Sequence, residues 1–185
     1  MKHINTKSNI TPIRLKLPVD YEKIIKISDP VYSFREIMAQ IDRNQFFTLR
    51  ERKTGRPEFD RAKLLKIVLF AFMEFGYCSV RQIHKLCETD IRFLWLLDDA
   101  PAPSVMTIQN FIHDELTDNI SNIFDAINSV LFEAEGTFGT MKWNRGYSRF
   151  RRRGMKGVKL EIGLISCGFN LHKFHNQKLE KQEAT

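Results

Sequence analysis

Apolar residues recur every three or four positions along most of the chain, and between residues 21 and 134 no segment alternates apolar and polar residues with a period of two. The first spacing is that of one helix face, whereas alternation is typical of strands. The fold class is therefore predicted to be all-α. Residues 1–20 alternate polar and apolar residues without helix signals, and Pro12 and Pro18 interrupt any regular element, so this stretch is predicted to be an extended lead-in.

Residues 21–134 are predicted to form a compact helical N-terminal domain. Asp60, Ser79 and Ser104 each precede an apolar-periodic stretch, and their side chains are of the kind that caps helix N-termini. The predicted helices are two short ones between Tyr21 and Leu49, then 61–75, 80–87, 91–97 and 105–133, with a break near 117–119. The helix 61–75 is apolar on nearly every face, so we expect it at the centre. Short helices around tight turns are typical of helix-turn-helix-like elements, but also of domains without DNA-binding activity.

The character of the chain changes after Glu135. A segment in which glycines alternate with basic and aromatic residues is followed by one more predicted helix, 155–174. That helix is apolar on most faces and contains Gly157, Gly163 and Gly168, each of which weakens a helix by roughly 1 kcal/mol relative to Ala. It therefore needs neighbours on several sides. Residues 135–175 are interpreted as a separate C-terminal segment and residues 176–185 as a polar tail.

The excess positive charge lies in the last quarter of the chain. Residues 142–185 contain 11 Lys and Arg against 3 Asp and Glu, a net charge of +8, whereas the whole chain has +7. The basic residues alternate with Trp143, Tyr147 and Phe150, a mixture that can neutralise phosphates and stack on bases. Double-stranded DNA and a merely solvated basic tail both fit this composition. The basic candidates for DNA contact are Lys142, Arg145, Arg149, Arg151, Arg152 and Arg153.

Composition excludes several classes of protein. With 43% hydrophobic and 28% charged residues, the chain is of ordinary globular type. No apolar run approaches the roughly 20 residues of a membrane-spanning helix, and the N-terminus lacks a signal-peptide pattern. The three cysteines are too scattered for a disulfide framework. A cytoplasmic protein without a membrane partner is predicted.

Residues 55–111, GRPEFDRAKLLKIVLFAFMEFGYCSVRQIHKLCETDIRFLWLLDDAPAPSVMTIQNF, resemble the N-terminal helical domain of bacterial insertion-sequence transposases of the DDE type. Gly-Arg-Pro at 55–57, Ser-Val-Arg at 79–81 and the run at 92–96 carry the likeness, whereas Val105 replaces a histidine common in relatives. The resemblance implies binding to the terminal inverted repeats of the element. Polar side chains that can reach phosphates and base edges, or equally be ordinary exposed helix residues, are Arg81, Gln82, Lys85, Thr107, Gln109 and Asn110.

A second segment, EGTFGTMKWNRGYSRFRRRGMKGVKLEIGLISCGFNLHKF at 135–174, is similar to the extreme C-terminal segment of the same transposases. This resemblance makes Glu135 the last catalytic carboxylate and a metal ligand, with Lys142 as the lysine seven residues on. The tyrosine and arginine of that signature are replaced by Asn128 and Leu131. In relatives a long RNase H-like domain with both catalytic aspartates lies between the two segments, and its sheet supports the last helix. An internal deletion near 130–135 is therefore predicted.

The chemistry implied by the family needs three carboxylates around two Mg²⁺ ions, and Glu135 alone is an incomplete metal site. Asp114, Glu115, Asp118 and Asp125 are predicted to be solvated helix charges, and the pairs His84/Cys87 and His172/His175 to be surface histidines and a core cysteine. We expect a DNA-binding transposase remnant that does not catalyse transposition alone and needs no cofactor. Two alternatives stay open: a partner subunit of an active DDE transposase that contributes to strand cleavage and transfer, and a non-functional, poorly folded remnant. Besides DNA, a full-length transposase or further copies of this chain are the candidate partners.

Overall fold

Every regular element in the described part of the chain is a helix. The computed structural model describes residues 20–41, 46–47, 58–132 and 151–183, and no strand occurs among them, which confirms the predicted all-α fold. None of the helices in these ranges is long and apolar enough to cross a membrane. The helices are α1 (Tyr21–Ile24), α2 (Pro30–Gln40), α3 (Arg61–Phe75), α4 (Val80–Thr89), α5 (Ile91–Leu96), α6 (Val105–Asn110), α7 (Thr117–Phe132) and α8 (Gly154–Glu183), with a π-helical segment, Phe111–Leu116, between α6 and α7.

The centre of the fold is α3, as predicted. Its side chains from Leu64 to Met73 are buried, apart from Lys66. The helix begins where Asp60 accepts a hydrogen bond from the backbone N–H of Ala62 at 2.8 Å, which satisfies one of the free donors of the first turn. It ends at Gly76, whose φ of +68° is a conformation that favours glycine. Local signals therefore define both ends of the central helix.

The break predicted near 117–119 lies one turn earlier and does not interrupt the helical path. The widened turn runs from Phe111 to Leu116. The hydroxyl of Thr117 donates to the carbonyl of Ile112 at 2.8 Å, and the side-chain amide of Asn119 donates to the carbonyl of Glu115 at 2.9 Å. Side chains of this kind can bond to the preceding turn, so they stabilise the irregular turn rather than end the helix.

The last helix is longer than predicted. α8 has 30 residues and continues to Glu183, through most of the segment interpreted as a polar tail. Its final residues, Lys181, Gln182 and Glu183, are exposed. The apolar periodicity fades there because these side chains are exposed, whereas Lys, Gln and Glu retain good helix propensity.

α8 is supported by other helices and not by a sheet. It packs mainly on α3 and α7, with further contacts to α2. Leu160, Leu164, Cys167 and Leu171 are buried on these neighbours. The need for support on several sides, which the apolar pattern indicated, is therefore met within this chain.

Two glycines let α8 approach its neighbours closely. A Cβ atom on Gly168 would lie 2.4 Å from the carbonyl oxygen of Phe72 in α3, and one on Gly163 would lie 2.3 Å from Cγ1 of Ile120 in α7. Both distances are far below van der Waals contact. The glycines that weaken α8 as an isolated helix thus fix the distance at which it packs.

Contacts along α7 show that α7 and α8 run parallel. Near the start of both helices, the ammonium of Lys156 lies 3.4 Å from the carboxylate of Asp118. Farther along both, the side-chain amide of Asn170 donates to that of Asn128 at 2.7 Å. Because residue numbers increase in the same direction in both helices, the end of α7 and the start of α8 lie at opposite ends of the pair.

A buried histidine joins α8 to α2. His175 is 5% exposed, and its Nδ1 lies 3.0 Å from the hydroxyl oxygen of Ser33. One turn farther along, Lys178 pairs with Glu36. Burial lowers the pKa of His175; Asp29 acts against this shift and Lys178 acts with it. The prediction of a surface histidine is wrong for His175, because the partner that buries it is distant in the sequence.

Arg92 connects α2, α3 and α5. This contact gives a structural role to the first residue of the run at 92–96 that resembles transposases. Its Nη2 lies 2.7 Å from Oδ2 of Asp90, and its Nη1 bonds to Glu74 of α3 and lies 3.8 Å from Asp29. Asp29 also caps α2 by accepting from the N–H of Val31 at 2.9 Å. A single guanidinium therefore holds the start of α2 against α3 and α5.

Gly168→Ala is expected to lower the free energy of unfolding by about 2 kcal/mol, as measured by urea unfolding followed by circular dichroism. The added methyl group meets backbone, which cannot rotate away, and overpacking of this kind typically costs about 1–3 kcal/mol. Gly157→Ala is the matched control, because its Cβ would first meet the Cβ of Arg152, at 3.1 Å. If Gly168→Ala raised the free energy of unfolding as much as Gly157→Ala did, the close crossing of α3 and α8 would be contradicted.

His175 is expected to make the protein less stable as the pH falls below about 6.5, the ordinary histidine value. The lowered pKa keeps the folded ring neutral while the unfolded ring takes up a proton, so the free energy of unfolding is full above this pH and declines below it. His175→Asn should reduce the decline between pH 7.5 and 5.5. His113→Asn, at an exposed position, should keep it, and equal slopes for all three proteins would refute the assignment.

Candidate nucleic-acid interface

α4 presents three of the predicted DNA-binding side chains to solvent. The hydroxyl of Ser79 accepts from the backbone N–H of Gln82 at 3.3 Å and caps the helix. Ile83 and Cys87 are buried, so the opposite face of α4 is directed outward. The side chains on that exposed face are Arg81, Gln82 and Lys85.

α6 carries the second predicted group and lies against α4. The two helices are in contact, and Nδ1 of His84 in α4 lies 3.0 Å from the carbonyl oxygen of Pro103, just before α6. Gln109 and Asn110 are exposed, whereas the half-buried Thr107 shares a 2.8 Å hydrogen bond with Ser104. The structure thus places the two groups on neighbouring helices, while their action as a helix-turn-helix stays a prediction.

The arginine run, defined here as Arg151–Arg153, lies beside the turn that leads into α4. The guanidinium carbon of Arg151 is 4.6 Å from the ring centroid of Tyr77, a cation–π distance. Tyr77 is two residues before Ser79, the cap of α4. Arg151 and Arg153 are exposed and Arg152 is half-buried. Arg151 is thereby placed against the segment that leads into α4, although the two are far apart in the sequence.

Four predicted site residues lie outside the described residues: Glu135, Lys142, Arg145 and Arg149. The catalytic and metal-binding roles of Glu135 and Lys142, and the DNA contacts of the other two, therefore stay predictions from the resemblance.

The four acidic residues named for this part of the chain, Asp114, Glu115, Asp118 and Asp125, have separate surroundings. Asp114 lies 2.7 Å from His113 and is exposed, as is Asp125. Asp118 is the exposed partner of Lys156. The prediction of a solvated charge is wrong for Glu115: its carboxylate is half-buried, 2.6 Å from Nε of Arg61. In the ranges that the structure describes, no three His, Cys, Asp or Glu residues converge to hold a metal ion.

The cysteines are structural. Cys78, Cys87 and Cys167 are all buried without a disulfide partner, and burial raises the pKa of the Cys78 and Cys87 thiols to about 12. Such thiols stay protonated and unreactive at neutral pH. This confirms the interpretation of Cys87 as a core cysteine.

Two residues that hold the arginine run in place were not predicted from the sequence: Tyr77 and Glu161. Glu161 is fully buried, and its carboxylate accepts hydrogen bonds from the backbone of the arginine run. The sequence contains a signal for Glu161, because it is the single acidic residue within the mostly apolar stretch 158–174 and is therefore expected to have a specific partner. For Tyr77 no comparable signal exists in the sequence.

Comparison with protein families identifies the chain. Residues 19–114 match the model of a transposase domain (DUF772), which is more than half of the 185 residues. The chain belongs to the transposase family. Residues 117–175 of this transposase-family protein also match the model of a transposase DDE domain. Both matches confirm the resemblance to insertion-sequence transposases. Searches of curated proteins and of solved structures find no match.

DDE transposases generally use Mg²⁺, so the described carboxylates have to be tested as its ligands. Mg²⁺ requires oxygen ligands in octahedral geometry. Glu115 and Asp118 already pair with Arg61 and Lys156, and no third carboxylate joins them within the described ranges. The described part of the chain therefore does not fit the two-metal centre of the family.

Proposed function

We propose that this transposase-family protein is an internally deleted transposase that binds double-stranded DNA and does not cleave or join strands alone. Its site would be the terminal inverted repeats of an insertion sequence, and its location the cytoplasm, where bacterial DNA is found. The observation that carries the proposal is the contact between Arg151 and Tyr77, because it supports one continuous basic and polar surface formed by the arginine run and α4.

The arginine run and the helices α4 and α6 are expected to contribute different kinds of contact with DNA. Arginines of the run contribute phosphate contacts, which weaken as salt rises because counterions are released on binding. Gln82, Gln109 and Asn110 carry amides of the kind that bond to adenine edges in the major groove. Binding should thus have a salt-sensitive part from the run and a sequence-reading part from α4 and α6.

The proposed deletion is supported by how the family matches adjoin. The transposase-domain match ends at residue 114 and the DDE-domain match covers 117–175. A catalytic domain of the RNase H-like type is built around a sheet, yet the described portion of 117–175 is helical. We propose that the chain lacks this domain and, with it, the two aspartates of the triad.

Selection from a randomised duplex pool is expected to enrich one motif that persists at near-physiological salt. The purified protein is incubated with the pool at low and at near-physiological salt, and the bound DNA is sequenced. A persistent motif would mean that α4 and α6 read sequence. Unselective binding that vanishes with salt would contradict sequence recognition and leave only the arginine run active.

Matched charge variants locate the surface within the same experiment. Arg153→Gln is expected to weaken binding and to reduce the salt dependence by about one phosphate contact. Lys23→Gln removes the same charge from α1, where Lys23 pairs with Asp20 and is 83% exposed. It should leave binding nearly unchanged. Equal losses in both variants would indicate a general effect of net charge.

Strand cleavage by this protein alone is expected to be undetectable. A supercoiled plasmid that carries the selected motif is incubated with the protein and Mg²⁺, and nicked circles are quantified. Nicks that require Mg²⁺ and disappear in Glu135→Ala would overturn the proposed lack of catalysis. They would favour the alternative in which Glu135 contributes to strand transfer.

A further inference from the structure

Glu161 is a fully buried acidic residue in an otherwise apolar part of α8. It is 0% exposed and has apolar or small neighbours in the sequence on both sides. Its two carboxylate oxygens accept from the backbone N–H of Arg151 at 3.0 and 3.1 Å, and Oε2 also accepts from that of Arg152 at 2.8 Å. The buried carboxylate therefore binds the backbone of the arginine run.

A buried carboxylate is costly unless several donors satisfy it. Hydrogen bonds from backbone N–H groups to an ionised carboxylate are among the strong ones, and here they come from two consecutive residues. The buried side chains beside it on α8, such as Leu160 and Leu164, are apolar. The carboxylate therefore serves the segment that it binds.

The hydrogen bonds fix the start of the arginine run where its side chains point outward. Arg151 is held by its backbone on Glu161 and by its guanidinium on Tyr77. Gly154, with a φ of +76°, then turns the chain into α8. Arg151 and Arg153 stay exposed, so the run is ordered while its charges remain accessible.

We infer that Glu161 is a positioning residue for DNA binding: its carboxylate holds the backbone of Arg151 and Arg152 so that the arginine run stands beside α4 before DNA arrives. The inference rests on the proposed function. Ordering a charged segment in advance removes part of the entropy lost on binding. A negative charge near the interface thus strengthens binding to a polyanion, which is opposite to its direct electrostatic effect.

The positioning role and the direct electrostatic effect of Glu161 predict opposite changes in the Kd, so variants at this position distinguish them. Glu161→Gln retains the shape of the side chain but loses the charge, and Glu161→Asp retains the charge but is one methylene too short to reach the backbone. Both are expected to raise the Kd for the selected duplex by roughly tenfold, since two rotamer-rich side chains must then be ordered on binding. Glu180→Gln removes the same charge from an exposed position of α8. It should leave the Kd unchanged or lower it.

Hydrogen exchange of the free protein gives a readout that does not depend on DNA. The amides of Arg151 and Arg152 should be protected in the native protein and exchange faster in both Glu161 variants. Amides of α3 should stay protected in the variants, which separates local release from global unfolding. If Glu161→Gln does not fold, the more conservative Glu161→Asp and the protection of the native amides still decide the matter.

The outcomes separate the two claims. Native protein that binds duplex DNA, together with Glu161 variants that bind equally tightly or more tightly, would overturn the inference alone. Rapid exchange of the two arginine amides in the native protein would do the same. Native protein that binds no duplex at low salt would overturn the proposed function and this inference together.

Discussion

The close approach of α8 to α3 at Gly168 and Phe72 is the constraint on which the rest of the structure depends. α3 is apolar nearly all round, so it is stable only when it is covered on every side. α8 provides one of these covers, and its own apolar faces require α3 and α7 in return. Because backbone meets backbone at this crossing, the distance between the helices is fixed and a side chain cannot adjust it.

The same crossing determines where the arginine run lies. With α8 fixed across the core, its first turns and the residues before them come to the side of the fold where α3 turns into α4. There the carboxylate of Glu161 binds the backbone of Arg151, and the ring of Tyr77 contacts its guanidinium. A surface made from distant parts of the sequence is therefore a product of core packing, and the position of its arginines depends on a buried residue, Glu161.

The parts of the fold that could be predicted are those with local causes. Asp60 and Gly76 define α3 because a cap acts on the next turn and a left-handed glycine ends a helix by its own conformation. His175 and Glu161 could not be placed in the same way, since Ser33 and the backbone of Arg151 are specified only by how the helices pack. The candidate surface divides similarly: the outward face of α4 follows from amphipathicity, whereas its proximity to the arginine run does not.

The parallel course of α7 and α8 has a topological consequence. A connection between parallel helices has to span the length of α7, which at 16 residues and about 1.5 Å per residue is about 24 Å. A tight helical hairpin cannot do this, and even an extended chain needs about seven residues, at roughly 3.3 Å each. Lengthening the connection further costs little, because each doubling of a loop adds only about 0.6 kcal/mol of closure entropy. Loop-closure entropy therefore sets little limit on the length of chain between α7 and α8, which is the condition that the proposed internal deletion requires.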